Sequence, residues 1–154
     1  EVNMKKILAL VMVLTMSGCN AKHRDINKAV TGCTYMQKYS DDVYEIVYEV
    51  HSNLNWQKAA QENPISDHWE EFGKYMQKAD VEDPWQNENT RCDKPGYRLY
   101  SKGYEYYKIS EENIGKVQEL YKKYPYRFEY TEKQTGDIYE GEVIWPLQVL
   151  EDDN

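Results

Sequence analysis

Histidine and cysteine are scarce in this chain, with three of each, and neither falls into a spacing that chemistry uses. His51 and His68 sit on separate expected elements and His23 in a polar N-terminal stretch. All three read as surface histidines, not as metal ligands joined by Glu49, Glu70 or Asp67. No Cys-x-x-Cys is present, which removes the usual dithiol redox motif. No Gly-x-Ser-x-Gly is present either, so no serine is marked as a nucleophile. The adjacent carboxylates Glu70-Glu71 and Glu111-Glu112 would point apart on a helix, and they read as N-terminal helix charge. No catalytic, metal-binding or cofactor-binding residue is assigned on these grounds.

Cations are also in deficit. Nineteen Lys and Arg face twenty-seven Asp and Glu, for a net charge of −8. That balance argues against nucleic acid and against adhesion to anionic headgroups, and it suits a basic protein partner. Long apolar runs are missing: Ile7 to Met16 is far short of the roughly 20 residues that span a bilayer. Internal repeats and low-complexity tracts are absent as well. What the chain has in abundance is tyrosine, fifteen residues, with four tryptophans, and that aromatic load argues for a folded domain.

The short apolar run has a recognisable setting. Lys5-Lys6 precede it, and Ser17-Gly18-Cys19 follow it. The segment from Met4 to Cys19 resembles the signal peptide and lipobox of bacterial lipoproteins, with Met16 where that family usually has Leu. Glu1-Val2-Asn3 reads as an upstream extension. The resemblance implies that residues 1–18 are removed and that Cys19 carries lipid. Multiple acyl chains would then anchor the protein stably. Asn20 in place of Asp leans towards the outer membrane of the envelope, with the domain at its periplasmic face. A polar tether is expected over residues 19–31, one domain over 32–150 and an acidic tail over 151–154.

Once Cys19 is assigned to lipid, Cys33 and Cys92 remain as an even pair in an oxidising compartment. A disulfide is expected between them, with two free thiols as the alternative. Closing a loop of 59 residues would contribute about 4 kcal/mol in the chain-entropy picture.

Asp42 to Leu54 carries Val43, Ile46, Val47, Val50 and Leu54 at helical spacing behind a capping box of Asp42 and Glu45. The same stretch alternates Tyr44, Ile46, Tyr48 and Val50 as a strand would, and the helical reading is preferred. A second helix is expected from Ser66, with Trp69, Phe72, Met76 and Ala79 on one face. Glu82 to Pro95 reads as a loop. Tyr97–Tyr100 and Tyr104–Ile109 flank Ser101-Lys102-Gly103 as a hairpin. Ser110 then caps a third helix with Ile114, Val117, Leu120, Tyr121 and Tyr124 on one face, and Pro125 ends it. Tyr126–Tyr130 and Tyr139–Trp145 alternate as strands joined by a turn at Lys133–Asp137. The expected class is α+β: about three helices on an antiparallel sheet of about four strands, with one disulfide.

Asp83-Pro84-Trp85 with Gly96-Tyr97-Arg98-Leu99-Tyr100-Ser101-Lys102-Gly103 resembles the Asp-Pro-Trp and Tyr-Ser-x-Gly signature of major pseudopilins, as a local analogy. The tyrosines of the expected hairpin either follow strand propensity in a half-buried sheet or form a recognition face. On the second reading Tyr97, Tyr100, Tyr104, Glu105, Tyr106 and Tyr107, with Glu140 and Glu142, are the candidate partner-binding residues. The chain reads as a membrane-anchored periplasmic lipoprotein that acts by binding, and it resembles immunity lipoproteins in general type. The alternatives are a structural accessory of an envelope or secretion machine, and a glycan-binding protein or enzyme.

Overall fold

The structure, a computed structural model, describes residues 21–84 and 89–151. The leader, Cys19, Trp85 and all but the first residue of the acidic tail lie outside the described residues. Nine strands dominate: β1 (His23–Asp25), β2 (Val30–Lys38), β3 (Val43–Ser52), β4 (Trp56–Glu62), β5 (Gln77–Lys78), β6 (Arg98–Lys108), β7 (Tyr126–Glu132), β8 (Ile138–Val143) and β9 (Leu147–Val149). They form a four-stranded sheet in the order β1-β8-β7-β4 and a five-stranded sheet in the order β5-β6-β3-β2-β9. Among the described residues the helices are short: α1 (Pro64–Asp67), α2 (Trp69–Phe72) and α3 (Glu111–Lys123), with one 3₁₀ turn at Ile26–Lys28. The expected α+β arrangement is therefore corrected to a mostly β fold of two sheets.

The core lies where the sheets face each other. β7 alternates strictly, burying Tyr126, Phe128, Tyr130 and Glu132 and turning Arg127, Glu129 and Thr131 outward. Tyr44, Ile46 and Val50 of β3 and Val30 and Met36 of β2 join the same cluster. Trp145 packs on Tyr126 and Phe128, with ring centroids 4.9 and 5.5 Å apart. α3 covers this core with Val117, Leu120 and Tyr121, and the Tyr121 ring meets Phe72 of α2 edge-on at 5.3 Å. This helix takes the expected bounds, with acids in its first turn and Lys122 and Lys123 in its last.

Four local expectations change. Asp42 to Leu54 is not a helix but contains β3, paired with β2 and β6. Its odd residues are buried as well as its even ones, because chain lies on both sides of it. Apolar residues at both parities are what imitate helical spacing. The second expected helix breaks at His68, whose φ of −128° and ψ of 39° leave the helical region while its ring stacks on Tyr124 at 3.6 Å. The expected hairpin over Tyr97–Tyr107 is one continuous strand from Arg98 onward. Ser101-Lys102-Gly103 continues along β3, with a bulge opposite Val50 and His51, and makes no turn. Gly103 is needed there because a Cβ would collide with the Tyr48 ring.

The tether boundary also moves. β1 pairs in parallel with β8, the Ile138 N–H donates to the Lys22 carbonyl at 2.9 Å, and Ile26 and Ala29 are fully buried. The folded domain begins by residue 22. The disulfide between Cys33 and Cys92 is present, with Cα atoms 6.1 Å apart.

Candidate functional site

β4 ends the four-stranded sheet, and among the described residues β6 is paired on its far side only near its C-terminal end, with the two-residue β5. Between these strands the two sheets part and leave a cleft made of two adjoining cavities of about 240 and 430 Å³. Tyr48 and Asn63 line both and form the wall between them. The first cavity is bounded by Trp69, Tyr104, Glu105, Tyr107, Tyr121 and Tyr126, with Lys78 beside them. The second is bounded by Ala59, Gln61, Tyr100, Ser101 and Tyr130.

The walls are rigid aromatic surface with few polar groups. Tyr100 packs edge-on against Tyr130 at 5.6 Å, and the Tyr130 hydroxyl donates to Gln61 Oε1 at 2.8 Å. Burial pushes the Tyr107, Tyr126 and Tyr130 phenols upward, and Glu105 adds to the shift at Tyr107. Their raised pKa keeps these hydroxyls protonated and able to donate hydrogen bonds. The Tyr107 hydroxyl donates to the Glu105 carboxylate, which is exposed and keeps acceptor capacity for a ligand. Tyr100 and Tyr104 stand at the mouth, 43% and 36% exposed. The arrangement suits recognition by stacking and by hydrogen bonds.

The structure brings together only part of the expected binding set. Tyr100, Tyr104, Glu105 and Tyr107 line the cleft. Tyr106 turns to the opposite face of its sheet, where its hydroxyl donates to Glu45 Oε2 at 2.5 Å. Tyr97 lies in the loop before β6 with the Lys94 ammonium over its ring at 4.6 Å. Glu140 and Glu142 project from the outer face of the four-stranded sheet, and Glu140 meets His23 Nδ1 at 2.7 Å. Tyr48, Gln61, Asn63, Trp69 and Lys78 belong to the cleft and escaped the sequence reading. For Tyr48 the alternation within Asp42–Leu54 was the available signal.

A second polar cluster lies on the covered side of β3. Glu49 and His51 are 0% and 1% exposed, so His51 is not the surface residue expected of it. The Arg91 N–H donates to both Glu49 carboxylate oxygens, at 3.1 and 3.0 Å, and His51 Nε2 lies 2.9 Å from Oε1. An ionised carboxylate only accepts, so Nε2 carries the proton. Burial alone would raise the Glu49 pKa. The bonds from His51 and the Arg91 N–H, with the Tyr35 hydroxyl close by, outweigh it and hold the carboxyl below its usual range. Burial first, and then the Glu49 charge, pushes the Tyr35 hydroxyl upward, although it makes no hydrogen bond of good geometry. Cys33, Glu49 and Cys92 place ligand atoms within 4.8 Å of one another, but both sulfurs are spent in the disulfide. The cluster fastens the segment around Cys92 onto the sheet.

No family model, curated protein or solved structure matches this chain. Among the described residues no helix is long and apolar enough to cross a membrane.

Proposed function

We propose that this protein is a lipid-anchored lipoprotein of the bacterial envelope that acts by binding another protein, as an immunity-type inhibitor of a toxin delivered to the periplasm. The observation that carries the binding part is the cleft between β4 and β6. Its mouth presents Tyr100, Tyr104 and Glu105 on a rigid sheet. Tyrosines held this way supply contact area at low entropic cost, with a hydroxyl for the wet side. The acidic balance of the chain supports a basic partner. The lipid anchor rests on the Lys-Lys, apolar run and Ser-Gly-Cys pattern ending at Cys19.

The test is a pull-down from crosslinked envelopes with the chain from Asn20, read by mass spectrometry. A single stoichiometric toxin-like protein, lost with Tyr100→Ala, is the expected result. Recovery of secretion components instead would move the reading to a structural accessory. The anchor is tested by Cys19→Ser, which should leave an unprocessed or soluble form; unchanged fractionation with the membrane would refute it.

A further inference from the structure

β4 is an edge strand whose protection is uneven. Edge strands invite pairing with another chain, and bulges and lysines blunt that tendency. Both devices sit in the first half of β4, where the register with β7 shifts between Trp56 and Lys58. The second half, Ala59-Ala60-Gln61-Glu62, pairs regularly with β7 on one side, Ala59 to Tyr130 and Glu62 to Arg127. On the other side none of its backbone groups has a partner among the described residues.

The two faces beside this open edge differ. On the inner face Ala59 and Gln61 border the tyrosine cleft. On the outer face Ala60 stands opposite Glu129. Glu129 makes no ion pair among the described residues, since the nearby Arg127 is committed to Asp67 by contacts of 2.8 and 3.0 Å. Burial and the neighbouring Glu140 raise the Glu129 pKa, and His23 opposes them without cancelling the rise. A strand added to β4 would lie two strand spacings, about 10 Å, from β7. Only the methyl of Ala60 would stand between an incoming cationic side chain and Glu129.

We infer that the open half of β4 takes an extended segment of the protein partner by strand addition, with apolar side chains turned into the Tyr48–Tyr100–Tyr130 cleft and a lysine or arginine laid across Ala60 to Glu129. The inference rests on the protein-binding reading above and specifies its mode. Main-chain bonds to β4 supply affinity, and the alternating pockets select the sequence.

The probe is an eight-residue peptide alternating valine and lysine, titrated into the chain from Asn20, which contains every described element. Two further peptides carry N-methyl groups on all valine or on all lysine amides. Strand addition shifts the Ala59–Glu62 amide resonances and slows their hydrogen exchange. It is abolished by one methylated set and not the other, because alternate N–H groups face opposite edges. Ala60→Arg, an exposed change that supplies the countercharge in place, weakens binding about fivefold. Shifts confined to Tyr100 and Tyr104, with both methylated peptides binding equally, would overturn strand addition while leaving a side-chain binding cleft. Protection of β4 that rises with protein concentration alone would overturn the partner segment in favour of a second copy. No shift at any peptide concentration would overturn the strand site, and the partner reading would then rest on the crosslinking result alone.

Discussion

β3 shows the molecule two ways of treating polar and aromatic groups, one on each of its faces. On the odd face Glu45, Glu49 and His51 are almost completely buried, and each has its hydrogen bonds. Gln37 Nε2 donates to Glu45 at 2.9 Å, and the Arg91 N–H and His51 serve Glu49. On the even face Tyr48 packs with Tyr126 at 6.2 Å and then gives way to a cleft that opens to solvent beside a strand edge unpaired among the described residues. A carboxylate in an apolar interior is tolerated only when its bonds are complete, so the odd face has little freedom to change. The even face pairs strong aromatic packing with an open cleft and, among the described residues, unpaired backbone groups. The closed side holds the fold together, and the open side is the one to which the proposed binding is assigned.

That contrast can be broken most sharply at Glu49. Glu49→Ala leaves the Arg91 N–H and His51 without their acceptor and should cost about 3 kcal/mol in urea unfolding. A loss below about 1 kcal/mol would mean that the covered face is not what holds the segment around Cys92. Next comes the disulfide: Cys92→Ser should cost roughly 2–4 kcal/mol and speed amide exchange around Arg91 and in β3, with much less change in β7. Equal acceleration in both sheets would erase the distinction between the faces.

The pH response follows in size. Glu49 and Asp137 are held below the usual carboxylate range, Asp137 chiefly by its bond to Arg24. A carboxyl depressed in the folded state contributes stability that is present above its unfolded value near 4. That stability is lost as pH falls through its lower folded value. Unfolding midpoints should therefore drop below about pH 4, and Glu49→Gln should flatten part of that drop. Glu129 works in the opposite sense: its raised pKa favours the fold at low pH and that advantage fades as pH rises through the folded value. Smallest in stability is Tyr100→Ala, which should change unfolding by less than about 1 kcal/mol yet abolish capture of the crosslinked partner.

Elements with a single buried face were legible in the sequence. α3 shows one apolar stripe between acidic and basic turns, and β7 and β8 alternate because one side is core. The disulfide followed from parity of cysteines once Cys19 was set aside. Elements whose surroundings are supplied by distant chain were not legible. β3 reads as a helix because the segment around Cys92 covers its second face. β6 reads as a hairpin because Gly103 answers to the Tyr48 ring and not to a turn. β1 looks like a polar tether because its His23-Arg24-Asp25 side chains are polar, while parallel pairing to β8 involves only backbone. The cleft was half visible: Tyr100, Tyr104, Glu105 and Tyr107 were marked by local tyrosine density, whereas Gln61, Asn63 and Trp69 converge from elsewhere.

The backbone bond from Ile138 to Lys22 has a consequence for geometry at the membrane. If Cys19 carries the acyl chains, only Asn20 and Ala21 separate it from the first residue fastened to the fold, three Cα steps away. At full extension that leash is roughly 11 Å long. A domain so closely moored sweeps almost no volume, keeps one flank against the headgroups, and meets only those proteins that come to the bilayer surface.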